Sequence, residues 1–180
     1  MHSVNASIAI ESLDAAEIAM VARVAAASDR HGLTRIAKTA TRLGNGWLYP
    51  LVTLFLLASR VEGAVRFALS ASVSFAIAHA LYPSLKRVIA RIRPCDYDPS
   101  LARDIEPMDH YSCPSGHAMT AAAYAVPLIL TSPAATPLAL TICCVVGWSR
   151  VALGHHYPSD VIAGTILGAT IAGGVTAWMA

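Results

Sequence analysis

Three short clusters hold the residues of this chain whose types and spacing could do chemistry. They are Lys86 with Arg93-Pro94 after six intervening residues, Pro114-Ser115-Gly116-His117, and Ser149-Arg150 followed by His156 and then Asp160. Three fixed cations, Lys86, Arg93 and Arg150, suit an anion with several oxygens. Two histidines and one carboxylate suit a nucleophile, its orienting partner and a proton donor. Together the clusters read as a phosphate pocket.

Each cluster carries its own argument. Lys86 and Arg93 are nearly two helical turns apart, so a helical stretch would put both on one side until Pro94 ends it. Taken alone, the basic run Lys86-Arg87-Arg91-Arg93 would serve equally to anchor a helix end among lipid headgroups. Ser115 is a natural N-cap and Gly116 admits close backbone approach, so the helix that follows can seat phosphate on its first turn. His117, in that turn, is placed to give a proton to a departing oxygen. Gly154 breaks the apolar segment that Arg150 closes, and Pro158 opens the next helix, so His156 lies just before that helix and Asp160 in its first turn. A carboxylate on one imidazole nitrogen fixes the tautomer and sharpens the other as a nucleophile towards phosphorus, with Arg150 holding the phosphoryl oxygens. The chemistry expected is covalent catalysis through phosphohistidine. His110, His117, His155, His156 and Asp160 could also offer metal ligands. No two of these histidines have helical i, i+4 spacing, however, and three cations crowd the same place, so neither a metal nor another cofactor is expected. His79, seven residues before Lys86, faces the same way, either towards the site or as a hydrogen-bonded histidine inside the bundle.

The elements that must position these residues are apolar. Of 180 residues 56% are hydrophobic and 13% charged, with a mean hydropathy of +0.55, a membrane composition. Segments 43–59, 64–83, 118–132, 137–153 and 161–180 approach the ~20 residues that cross ~30 Å of hydrocarbon. The expectation is one all-α domain, 1–180: an integral membrane bundle of about five spanning helices, or six if the N-terminus also crosses. Glu11, Asp14, Glu17 and Arg23 make such a crossing costly, so 8–27 reads as an interfacial or capping helix, one whose amphipathic pattern Glu17 interrupts by projecting on the same side as Leu13 and Val24. Leu33, Ile36, Ala40 and Leu43 share one helical face and Arg35, Lys38 and Arg42 another, the pattern of a basic helix on a lipid surface or of a solvated helix. Residues 1–42 are thus interfacial helices and 43–180 the bundle. The polar stretch 86–117 is a loop over the site, and Gly164, Gly168 and Ala172 permit close helix approach within the bundle. A net charge of +2 without a polybasic run leaves nucleic acid out as a partner. The partners expected are the bilayer and a lipid phosphate, while oligomeric state leaves no mark. The first fourteen residues contain no Lys or Arg and do not read as a secretory signal. Cys95 and Cys113 bracket the loop, and their spacing fits either a disulfide or two thiols.

At these clusters the sequence resembles the type 2 phosphatidic acid phosphatase superfamily, whose signature is Lys-x6-Arg-Pro, Pro-Ser-Gly-His and Ser-Arg-x5-His-x3-Asp. All three motifs are intact. The resemblance implies that His156 attacks phosphorus, Asp160 orients it, and His117 protonates the leaving oxygen and then activates water. Lys86, Arg93, Ser115, Gly116 and Arg150 would bind the phosphate without a metal. Familiar bacterial members dephosphorylate undecaprenyl diphosphate, phosphatidylglycerophosphate or phosphatidic acid, and soluble relatives are vanadate haloperoxidases. The expectation is therefore metal-independent hydrolysis of a lipid phosphate or diphosphate in a bacterial cytoplasmic membrane. A vanadate-dependent oxidase and a non-enzymatic transport or structural membrane protein are the alternatives. Membrane members commonly have six spans. Five spans put the motifs and most of the arginines on one side, which favours a cytoplasmic site, whereas most bacterial relatives face outward.

Overall fold

The computed structural model describes residues 2–180, with side chains from residue 15 onward, so Glu11, Leu13 and Asp14 lie outside the described side chains. Two helices come first, α1 (His2–Arg30) and α2 (Thr34–Gly44). Five apolar helices follow where the five apolar segments predict them: α3 (Leu48–Ala58), α4 (Ala64–Ile89), α6 (Gly116–Thr131), α7 (Thr136–Ala152) and α8 (Pro158–Trp178). A one-turn helix, α5 (Pro94–Tyr97), lies in the polar stretch. The protein is an all-helical membrane bundle. The segments Ala64–Ile89, Pro133–Ala152 and Pro158–Trp178 are long and apolar enough to cross a bilayer, and α3 and α6 are shorter. At 1.5 Å per residue the 11 residues of α3 span only about half the hydrocarbon thickness.

Helix α6 is central. Its first half, Ala118 to Ala125, is buried throughout, and it packs against α4, α7 and α8. The contact with α8 is backbone to backbone. A Cβ added at Gly164 would run into the Ser115 carbonyl, and one at Gly168 into the Met119 carbonyl. The Gly164, Gly168, Ala172 stripe is therefore an interior seam, as its spacing predicts. On the opposite flank α3 is fastened by polar contacts. Tyr124 Oη donates to the Tyr49 carbonyl at 2.9 Å and lies 2.9 Å from Thr53 Oγ1, within an aromatic cluster that includes Phe67 and Phe75.

Helices α1 and α2 pack on the end of the bundle that carries the motifs. Helix α2 is three-sided. Ala37, Thr41 and Gly44 are buried, Ile36 and Leu43 are about half exposed, and Arg35 and Arg42 project to solvent. Small residues let it approach α7 closely while its larger apolar side chains stay outside. Helix α1 buries Val21, Ala25 and Ser28, one face at helical spacing, partly against Leu101, Val151 and Tyr157.

Helix α4 runs six residues beyond the apolar segment 64–83, straight through Pro83. It then stops at Ala90, whose φ of 50° is left-handed, and residues to Arg93 are extended. Lys86 and Arg93 therefore do not share a helical face. The chain turns after Ile89 and delivers Arg93 to the same place along an extended segment, pinned by an isolated bridge between Ile92 and Tyr111.

The α6–α8 seam makes a paired prediction. Gly168→Ala forces the helices apart and lowers stability by about 1–3 kcal/mol. Gly173→Ala, with open space at its Cβ, leaves stability unchanged or slightly raised. Thermal unfolding in detergent measures both, and equal losses would contradict the interlock.

Candidate active site

Four helix ends and one loop meet at the motif end of the bundle. Lys86 lies in the last turn of α4, His117 in the first turn of α6, Arg150 in the last turn of α7 and Asp160 in the first turn of α8. Backbone bonds join these ends: Ser115 N donates to the Asp160 carbonyl at 3.0 Å, and Cys95 N to the Gly154 carbonyl at 3.0 Å. Gly154 is required there twice over. Its φ is +70°, and a Cβ would come within 2.5 Å of the Leu101 carbonyl oxygen. Lys86, Arg93, Gly116, His117, Arg150 and His156 line one cavity of about 70 Å³ together with His79, Asp109 and residues 44–46.

The three cations are 4%, 1% and 2% exposed for Lys86, Arg93 and Arg150. Lys86 Nζ donates to both Asp109 carboxylate oxygens, at 2.8 and 2.9 Å, and to the Tyr111 carbonyl at 2.8 Å. Arg93 donates from Nη2 to Asp109 Oδ1 at 2.6 Å, from Nε to the Asp109 carbonyl at 2.8 Å and from Nη1 to the His155 carbonyl at 2.6 Å. Arg150 Nη1 donates to Thr41 Oγ1 at 3.2 Å, and its Nε is buried without a hydrogen-bond partner. Ser115 Oγ is likewise buried and unpartnered. Ser115 does occupy the N-cap position of α6, but its hydroxyl caps nothing. Gly116 has only the Tyr82 ring near its missing Cβ, at 3.5 Å, so no protein neighbour demands a glycine. What its bareness leaves open is the cavity.

Arg93 Nη1 lies 3.2 Å from His156 Nε2. A guanidinium only donates, so Nε2 accepts and the neutral imidazole carries its proton on Nδ1. That nitrogen faces Asp160 Oδ2 at 3.6 Å, beyond hydrogen-bond distance, so the pair is aligned but not bonded. Asp160 is held instead by Tyr157 N at 2.9 Å and Arg91 Nη1 at 3.0 Å. Arg91 in turn lies over the Tyr157 ring and donates to Glu17 Oε2 at 2.7 Å. Glu17 also accepts from Ser159 N and Ser159 Oγ, each at 2.8 Å. The acid that spoils the amphipathic pattern of α1 is therefore a cap for the start of α8, supplied from elsewhere in the chain.

His117 Nε2 lies 2.6 Å from Asn45 Oδ1, so α2 forms part of the wall. His79 lines the same cavity, stacked on Phe75 at 3.9 Å. His155 points elsewhere, its Nε2 2.8 Å from the Ile105 carbonyl. Cys95 and Cys113 are thiols, not a bridge. Among the described residues no group of three or more His, Cys, Asp or Glu could hold a metal ion. Sequence reasoning missed Asp109, Arg91, Glu17, Thr41 and Asn45. Only the basic run containing Arg91 and the anomalous polarity of Glu17 gave any signal.

Burial, then the positive charges of Arg150, Arg93 and Lys86, hold the His156 imidazole well below its ordinary value of 6.5. His155 is lowered to about 3 by burial and by Arg150. For Asp109 burial pushes the carboxyl up, but the hydrogen bonds and charges of Lys86 and Arg93 outweigh it and hold the group below 3.8.

The PAP2 superfamily pattern matches residues 67–180. An undecaprenyl-diphosphatase of Sulfolobus acidocaldarius is 38% identical over 127 residues, covering 69% of this chain and 59% of that protein. The match thus takes in little more than half of the archaeal protein's length. A decaprenylphosphoryl-5-phosphoribose phosphatase of Mycobacterium tuberculosis is 34% identical over 152 residues, 84% of either chain. The fold matches the crystal structure of a transmembrane PAP2-type phosphatidylglycerolphosphate phosphatase from Bacillus subtilis with a TM-score of 0.73 at 24% identity, over 96% of this chain and 89% of that one.

Two predictions follow from the charges. His155 and His156 stay neutral in the fold but take up protons in the unfolded chain, so stability falls as pH drops below 6.5. The Asp109 pairing contributes in full above 3.8 and is lost as pH falls through its lowered value. Thermal scans from pH 8 to pH 3 should show both stages, and Asp109→Asn should shrink the second, to which the lowered Glu17 also contributes, while leaving the first. Arg91→Met leaves the buried Asp160 carboxylate without its charged partner and should cost about 1–3 kcal/mol. A loss no larger than that of an exposed-surface substitution would deny Arg91 that role.

Proposed function

The chain belongs to the PAP2 superfamily and is a phosphatase, and from that premise we propose that it removes phosphate from a membrane lipid phosphate or diphosphate through a phosphohistidine. The carrying observation is that His156, His117 and the three buried cations line one cavity. His156 Nε2 attacks phosphorus, an N–P bond forms, and the bond to the leaving oxygen breaks. His117 gives that oxygen its proton. Water then yields a proton to His117 and attacks phosphorus, the N–P bond breaks, and inorganic phosphate and free His156 result. Asp160, on the Nδ1 side, stabilises the charge that His156 gains on attack. Lys86, Arg93 and Arg150, with Ser115 Oγ and the backbone at Gly116, bind the phosphoryl oxygens. Their charge supplies the electrostatic stabilisation for which other phosphatases use a metal, so the reaction is metal-independent.

The lipid reading rests on the surroundings. The cavity shares Gly46 and Phe75 with an apolar groove lined by Tyr49, Pro50, Leu54 and Ala71, where an alkyl or prenyl tail would lie. The matched relatives are named for polyprenyl-linked phosphates, which favours a polyprenyl diphosphate over a glycerophospholipid phosphate as substrate. The long apolar helices, together with a mycobacterial relative that matches 84% of the chain, support a bacterial cytoplasmic membrane as its location.

The test is phosphate release from undecaprenyl diphosphate and phosphatidic acid by purified protein with chelator present. Wild type should turn over at least one lipid despite the chelator, and His156→Ala should lower kcat by at least about a thousandfold. Activity retained in the variant removes His156 as nucleophile, and activity lost to chelator alone removes the metal-free mechanism.

A further inference from the structure

Asp109 stands where the substrate's phosphate is expected. Its carboxylate takes three hydrogen bonds from Lys86 and Arg93, at 2.6 to 2.9 Å, and these are two of the three cations assigned to phosphate. It comes from an irregular loop and not from a helix, and its side chain is 36% exposed. The backbone beside it is tethered independently, since Arg93 Nε holds the Asp109 carbonyl and Lys86 the Tyr111 carbonyl. The carboxylate can therefore move while the loop keeps its place. There is also room to receive it. Asp109 and Met108 form the wall between the phosphate cavity and a second cavity of about 390 Å³, whose lining includes Arg103 and His110.

We propose that Asp109 is an internal competitor for phosphate: it holds Lys86 and Arg93 in the empty enzyme, yields them to the incoming phosphoryl group by turning into the adjoining cavity, and retakes them as inorganic phosphate leaves. The inference rests on reading the pocket as a phosphate site. Exchange of one anion for another breaks no covalent bond and moves no proton. A phosphate dianion outcompetes a single carboxylate because it brings a second charge and can engage Arg150 as well. Substrate and product present nearly the same oxygens, so three converging cations alone would hold the product about as firmly as the substrate. A tethered carboxylate weakens both, and it is at hand whenever phosphate begins to leave.

The test compares wild type with Asp109→Asn, which keeps the size of the side chain and removes its charge, and with Asp109→Glu, which keeps the charge. Inorganic phosphate and vanadate are titrated onto the full detergent-solubilised chain, and turnover of a lipid phosphate is measured alongside. Asp109→Asn should bind phosphate about tenfold more tightly or better, with KM and kcat both lowered as release becomes limiting, and Asp109→Glu should return both towards wild type. Phosphate affinity in Asp109→Asn equal to or weaker than wild type overturns the proposal and leaves Asp109 a structural partner of Lys86. A second readout needs no variant. In wild type, saturating phosphate should shift the side-chain carboxylate carbon resonance of Asp109 as it leaves Lys86 and Arg93, and an unchanged resonance also overturns it. If neither phosphate nor vanadate binds wild type or variant, the phosphate pocket itself is wrong. If both bind wild type and variant equally, the pocket stands and the competitor does not.

Discussion

Lys86, Arg93 and Arg150 are buried together at one end of an apolar bundle, and much of the surrounding structure answers that constraint. Like charges repel strongly where water is excluded, and each buried cation also loses its hydration. The chain compensates with one carboxylate and a set of uncharged oxygens: Asp109 for two of the cations, the Tyr111, Asp109 and His155 carbonyls beside them, and for Arg150 the Thr41 hydroxyl oxygen, to which it donates. The compensation is incomplete. Arg150 Nε and Ser115 Oγ are left buried without partners. Donors fixed in place with unmet bonding capacity give an oxyanion a ready partner at little reorganisation cost.

The compensating groups come from far along the chain, which explains the order of the elements. Asp109 reaches back to Lys86 across the polar loop, and Asp160 is met by Arg91 from the end of α4, itself held by Glu17 of α1. The N-terminal helices therefore close the polar end of the bundle from above. Helix α2 gives Thr41 and Asn45 to the walls, and α1 caps α8 through Glu17.

Much of this was legible in the sequence, because motif residues at helix ends obey local rules. Pro158 opens α8 and puts Asp160 in its first turn, Ser115 precedes α6, and the Gly164, Gly168, Ala172 spacing marks a close seam. What stayed hidden depends on the path of the chain. Asp109 is one of five acids in a polar loop, and nothing local separates it from Asp96 or Glu106. Arg93 looks like a helical partner of Lys86 until Ala90 takes a left-handed conformation and the chain extends. The spacing predicts a bond between His156 and Asp160, but Arg91 and the Tyr157 amide hold the carboxylate 3.6 Å from the ring nitrogen. Glu17 looked like a flaw in an amphipathic helix because its partners lie more than 70 residues away.

The seam between α6 and α8 makes the two helices one rigid piece, with glycine against carbonyl and Ser115 N tied to the Asp160 carbonyl. Ser115, His117 and Asp160 all ride on that piece, with His156 just ahead of it, whereas Lys86, Arg93 and Asp109 sit on α4 and the loop. On the proposed mechanism the pocket divides into a fixed half that carries the two histidines and Asp160 and, apart from Arg150 on α7, an adjustable half that carries charge and access. If these groups act as proposed, substitutions in the loop retune which phosphate enters and how fast it departs, while the angle of attack, locked by backbone against backbone, is inherited unchanged.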